Sequence, residues 1–177
     1  YDYWAKGDLT NNYMDGDLKL NVQVWNETAN NEQNAQVVAQ LFDDKGNQIW
    51  QSSKKLWDLQ RKFGRTEIQF TTAIANVKSW SAETPNLYTI QLSLYTADGK
   101  LKEVIRKKTG FRSIEIKNRQ MLVNGKPILV KGVNRHEVDP IDWQVISKES
   151  MRKDVLEMKK MNINAVRTCH YPDDSYW

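Results

Sequence analysis

The chain has 177 residues, a formal net charge of +4, 40% hydrophobic residues and one cysteine. That length fits one large domain, or a small domain with part of another. The spread of basic residues argues against nucleic-acid binding, one cysteine excludes an internal disulfide framework, and no apolar run approaches the ~20 residues of a membrane span. The opening residues YDYW are neither an initiator methionine nor a secretory leader, so the chain is expected to begin inside a longer protein. The expected location is cytoplasmic. Seven tryptophans and seven tyrosines would supply much of a core, or of a sugar-binding surface.

Residues 17–25 (DLKLNVQVW) alternate Leu18, Leu20, Val22 and Val24 with polar neighbours. A period of two marks a strand with one wet face. Residues 36–42 form a second strand-like run, DDKGN at 43–47 supplies turn chemistry, and residues 48–53 return as a hairpin partner. Residues 66–74 alternate again, with Ile68 and Phe70 on one face. Residues 88–95 direct Ile90, Leu92 and Leu94 inward, Asp98-Gly99 suits a tight hairpin, and residues 101–107 pair back. WSAETPNLY at 80–88 reads as a loop held by Pro85. Short strands at this spacing, without a helical period, predict an antiparallel β-sandwich over residues 1–110. Carboxylates there, such as Asp43 and Asp44, fall in turns. No active-site chemistry is expected in this half.

From residue 111 the pattern changes. Residues 111–116 and 121–123 read as short strands, Asn124-Gly125 as a hairpin turn, and residues 128–130 as a returning strand that runs on toward Val133. Residues 147–161 carry a helical pattern, with Ser147 as N-cap and Met151, Val155 and Met158 on one face. Ile163, Ala165 and Val166 open another strand. Strand, helix, strand predicts a right-handed βαβ unit with parallel strands. In parallel α/β folds, functional groups gather beyond the carboxyl ends of the strands. Asn134, Arg135, His136 and Glu137 follow the first strand; Arg167, Cys169 and His170 follow the second. The topology therefore brings both histidines of the chain to one rim.

Several chemistries are open to that cluster. His136, Glu137, Cys169 and His170 are metal-ligand types, but they lack compact zinc spacing, and sequence neighbours such as Cys169 and His170 are expected to point to opposite sides of a strand. No metal site is therefore expected. A Cys–His hydrolase lacks an evident orienting third group. Sugar recognition fits better: imidazole and guanidinium groups can hold hydroxyls, and Tyr171 and Trp177 can cover apolar sugar faces.

The motifs WSAETPNLY (80–88), GFR (110–112), VNGKP (123–127), GVNRHE (132–137) and NAVRTCHYP (164–172) resemble, in order, those of glycoside hydrolase family 2. The resemblance covers nearly the whole chain, and the last two motifs are the most specific. It implies a mainly β fold: an immunoglobulin-like antiparallel sandwich, then the first βαβ portion of a (β/α)8 barrel in residues 111–177. It implies a parent enzyme that hydrolyses terminal β-D-galactosides such as lactose, with retention. Retaining hydrolysis needs an acid/base and a nucleophilic carboxylate roughly 5–5.5 Å apart. The family carries both glutamates on later barrel strands, so no catalytic residue is expected in this segment, and Glu137 is neither of them.

By motif position, His136 and His170 resemble ligands for galactosyl hydroxyls, and Arg167 resembles the arginine that supports the nucleophile. Asn134, Arg135 and Glu137 resemble rim residues, with ion pairing and substrate contact both open. Magnesium and sodium are implied for the parent, with their ligands outside this segment. Cys169 stands where serine is commoner, and Trp143 where glycine is frequent. A homo-oligomeric parent is expected, and residues 128–177 are expected to be covered by a neighbouring chain, by exchange of segments or by repacking. A self-standing carbohydrate- or partner-binding sandwich, or a fragment of a β-glucuronidase of the same family, are the alternatives.

Overall fold

The computed structural model describes residues 2–27, 34–56 and 64–177. Tyr1, part of the opening tetrapeptide, lies outside them. By internal contacts the chain divides into two compact units, residues 1–127 and 128–177.

The first unit is a sandwich. One sheet has the order β1-β2-β5, with β1 at Asp2–Thr10, β2 at Asp15–Asn26 and β5 at Gly64–Ile74. The facing sheet has the order β4-β3-β6-β7, with β3 at Ala35–Phe42, β4 at Gln48–Leu56, β6 at Tyr88–Tyr95 and β7 at Leu101–Thr109. All pairings in both sheets are antiparallel. The alternation foreseen along β2 is met: Leu18, Leu20, Val22 and Val24 are buried. They share one core with Phe70 of the same sheet and with Val37, Leu41, Ile90 and Leu92 of the other. Burying inner faces of two sheets while outer faces stay polar is what stabilises such a sandwich.

β1 did not stand out in the sequence because its inner face carries small groups: Ala5 and Gly7 sit on it between Tyr3 and Leu9. The close approach there has a use. The Phe111 ring is fully buried, lies edge-to-face on Tyr88 with centroids 5.1 Å apart, and fills the space beside Gly16, where a Cβ would meet it at 2.6 Å. Phe111 makes an isolated bridge to Gly7 rather than opening a strand; the strand expected from residue 111 begins at Ile114.

A small sheet follows, β8 (Ile114–Lys117), β9 (Gln120–Val123) and β10 (Lys126–Pro127), paired in the order β10-β9-β8. The Tyr13 hydroxyl donates to Glu115 at 2.6 Å and the Asn124 amide to the Trp80 carbonyl at 2.9 Å, tying this sheet to the sandwich. Asn124 (φ 51°) and Gly125 (φ 73°) form the left-handed pair that the Asn-Gly signal requires. The returning strand expected at residues 128–130 is shorter and earlier than foreseen. Pro127 has no N–H to continue the ladder, so pairing stops there.

In the second unit, β11 (Gly132–Arg135) and β12 (Ala165–Thr168) pair in parallel, joined through α1 (Lys148–Lys160). This is the βαβ start of a barrel. Ser147 caps the helix: its hydroxyl accepts the Ser150 N–H at 3.1 Å. Of the expected apolar face, Met151 is buried while Val155 is 41% exposed. No helix among the described residues is long and apolar enough to cross a membrane.

Candidate functional site

The parallel register sets Asn134 opposite Arg167 and Arg135 opposite Thr168. The two polar clusters therefore leave the sheet side by side. The last bond of the ladder runs from the Cys169 N–H to the Arg135 carbonyl, at 2.9 Å. At the opposite end of the two strands, Asn164 clamps the entry: its side chain accepts from the Lys131 N–H at 2.7 Å and donates to the Leu129 carbonyl at 2.8 Å.

His136 and His170 come together at the rim. Their rings lie edge-to-face with centroids 5.3 Å apart, and both residues are exposed. Cys169 is buried beneath them. The nitrogen and sulfur ligand atoms of His136, Cys169 and His170 all lie within 4.8 Å of one another. The expectation that Cys169 and His170 point to opposite sides does not hold. Both lie beyond β12, which ends at Thr168, so strand alternation does not govern them. The Cys169–His170 peptide bond is cis. Arg167 is exposed, and its guanidinium donates to the Cys169 sulfur at 3.9 Å. Asn134 is exposed beside it.

Arg135 behaves differently. Its guanidinium is buried, bonds Asp154 at 2.8 Å, faces Glu137 at 3.7 Å and stacks on Trp177 at 4.4 Å. The Trp177 indole N–H donates to Glu137 at 3.0 Å, and the Glu137 backbone N–H donates to the Tyr171 hydroxyl at 3.3 Å. Arg135, Glu137, Asp154 and Trp177 thus form one connected network. Asp154 was missed by sequence reasoning: a lone acid on a charged helix carries no signal until the fold sets it against β11.

The loop after the first cluster is closed by Asp139. Its backbone exchanges hydrogen bonds with Trp143, and its carboxylate accepts the Ile141 and Asp142 N–H groups at 2.8 and 3.1 Å. The Asp142 and Ile141 amides hold the Asp139 carboxyl below its ordinary pKa. Magnesium and sodium, implied for the parent, are hard cations that take oxygen ligands. Two imidazoles and a thiol do not suit them.

Residues 1–112 match the family model described as glycosyl hydrolases family 2, and residues 114–177 match that of the glycosyl hydrolases family 2 TIM barrel domain. A β-galactosidase of Priestia megaterium is 42% identical over 100% of this chain and 17% of its own length. One of Halalkalibacterium halodurans is 36% identical over 100% of this chain and 16% of its own length. The chain thus spans about a sixth of the curated relatives it matches. Among solved structures, a β-glucuronidase of Parabacteroides merdae aligns with a TM-score of 0.81 and 26% identity, over 98% of this chain and 22% of that one. With a sandwich, a βαβ barrel start and both family models matched across them, the chain belongs to glycosyl hydrolase family 2.

Proposed function

We propose that this chain is part of a retaining β-galactosidase and supplies the substrate-positioning portion of its active site. The observation that carries the reading is the exposed His136–His170 pair at the carboxyl ends of two adjacent parallel strands. That is where barrel enzymes assemble their sites. In this reading the two imidazoles hold galactosyl hydroxyls, and Arg167 steadies a nucleophilic carboxylate carried on a later strand. Asn134 shapes the rim. Arg135 and Glu137 hold the rim in place, consistent with their pairing to Asp154 and Trp177. Glu137 is committed to that network and is not one of the two glutamates that break the bond.

Apolar surface on residues 128–177 supports the same reading. Leu129, Ile141 and Val145 are more than 70% exposed, as on strands and loops that a complete barrel would cover. The proposal includes a cytoplasmic location, a homo-oligomeric parent, and magnesium and sodium held by residues outside this segment. The second reading, a β-glucuronidase, draws support from the P. merdae structure. The β-galactosidase relatives, at 42% and 36% identity, favour the first.

The test uses two proteins. The purified 177-residue chain is expected to show no turnover of a chromogenic β-galactoside; genuine turnover would sink the proposal. In the whole enzyme, His170→Ala should lower kcat/KM for a β-galactoside by about 10- to 100-fold, the worth of a hydrogen bond left unmade to a substrate hydroxyl. Unchanged kcat/KM would refute the role given to His170.

A further inference from the structure

We propose that His136, Cys169 and His170 form a binding site for a thiophilic divalent cation, with zinc as the ion that fits best. The three ligand atoms already lie within 4.8 Å of one another. Around tetrahedral zinc, with bonds of about 2.0–2.3 Å, neighbouring ligand atoms sit roughly 3.4–3.6 Å apart. Closing from the present spacing takes shifts on the order of 1 Å, within reach of two exposed imidazoles turning about their side-chain bonds.

Cys169 provides the fixed point. Its backbone is pinned to Arg135, its side chain is 1% exposed, and its thiol donates to the Arg167 carbonyl at 3.4 Å. An ion would enter from the solvent side, between the imidazoles, and meet the sulfur below. The thiol proton passes to solvent as the sulfur–metal bond forms, and each imidazole contributes a nitrogen lone pair. Three protein ligands leave a fourth position facing solvent. Two nitrogens and one sulfur suit zinc and exclude magnesium or calcium. Glu137 stays with Arg135 and Trp177 and is not needed as a ligand.

This site does not depend on the sugar reading. Where that reading holds, zinc and a sugar hydroxyl compete for the same imidazoles.

The experiment is a titration of the purified 177-residue chain with zinc alone, followed by calorimetry, and with cobalt(II), followed by absorption. One equivalent should bind, and cobalt should give a thiolate-to-metal charge-transfer band. Cys169→Ser, a nearly isosteric change, should abolish the band and weaken zinc at least about tenfold. His136→Gln, at an exposed position, should weaken zinc comparably and keep the fold, as read by circular dichroism. Absence of the band, or zinc affinity unchanged in Cys169→Ser, overturns the proposal. Neither result bears on sugar turnover, which is measured without zinc.

Discussion

Trp143 holds a left-handed backbone with φ 57° while its side chain is 69% exposed. The family resemblance makes glycine frequent at this place, and glycine adopts that conformation without steric cost. Since the indole packs little, backbone preference should dominate. Trp143→Gly is expected to be more stable than Trp143→Val by about 1–2 kcal/mol, the cost of a Cβ in the left-handed region, as measured by chemical denaturation. Equal stabilities would show that the loop relaxes. Asp139 closes the same loop, and its pKa is lowered in the fold by the Asp142 and Ile141 amides. A lowered carboxyl pKa gives stability that is present above the unfolded value and is lost as pH falls through the folded one. The amide resonances of Ile141 and Asp142 should therefore move toward open-loop positions as pH falls below about 4. In Asp139→Asn, which keeps the acceptor oxygen without the charge, the Ile141 shift should be lost. These two residues set the loop that follows His136 in the chain.

At the level of elements, α1 is anchored by its cap more than by its face. Met151 is its one buried apolar residue, and Ser147 satisfies an amide that would otherwise be orphaned. Ser147→Ala is expected to cost about 1 kcal/mol, seen as a lower denaturation midpoint. A shift below a few tenths would mean water replaces the hydroxyl. The helix was legible because cap, first-turn acid and last-turn lysines all agreed on its limits. The strands of the sandwich were legible for a similar reason, since period two is read directly from one face being wet. β1 was not, because alanine and glycine on its inner face weaken that contrast. The strand expected at residues 128–130 failed on a different ground: an apolar run there met a proline that ends the hairpin ladder, and Leu129 is 73% exposed.

For the whole molecule, the sandwich is closed by a residue outside its strands. Phe111 is fully buried against Tyr88, beside Gly7 and Gly16. Phe111→Ala should destabilise the chain by about 3–5 kcal/mol, as core truncations of this size do, and thermal unfolding would register it as a large drop in midpoint. A small drop would mean the two sheets collapse onto the vacancy. The sequence by itself determined the sandwich, the βαβ order and the rim location of both histidines, because each follows from local periodicity and chain topology. Tertiary structure alone decided three things. Arg135 turned inward to Asp154 and Trp177, because a buried guanidinium must find partners that are distant in sequence. Phe111 became a plug instead of a strand residue. Cys169 joined the two imidazoles, because beyond the end of β12 the direction of a side chain is set by the surrounding fold and no longer by strand alternation.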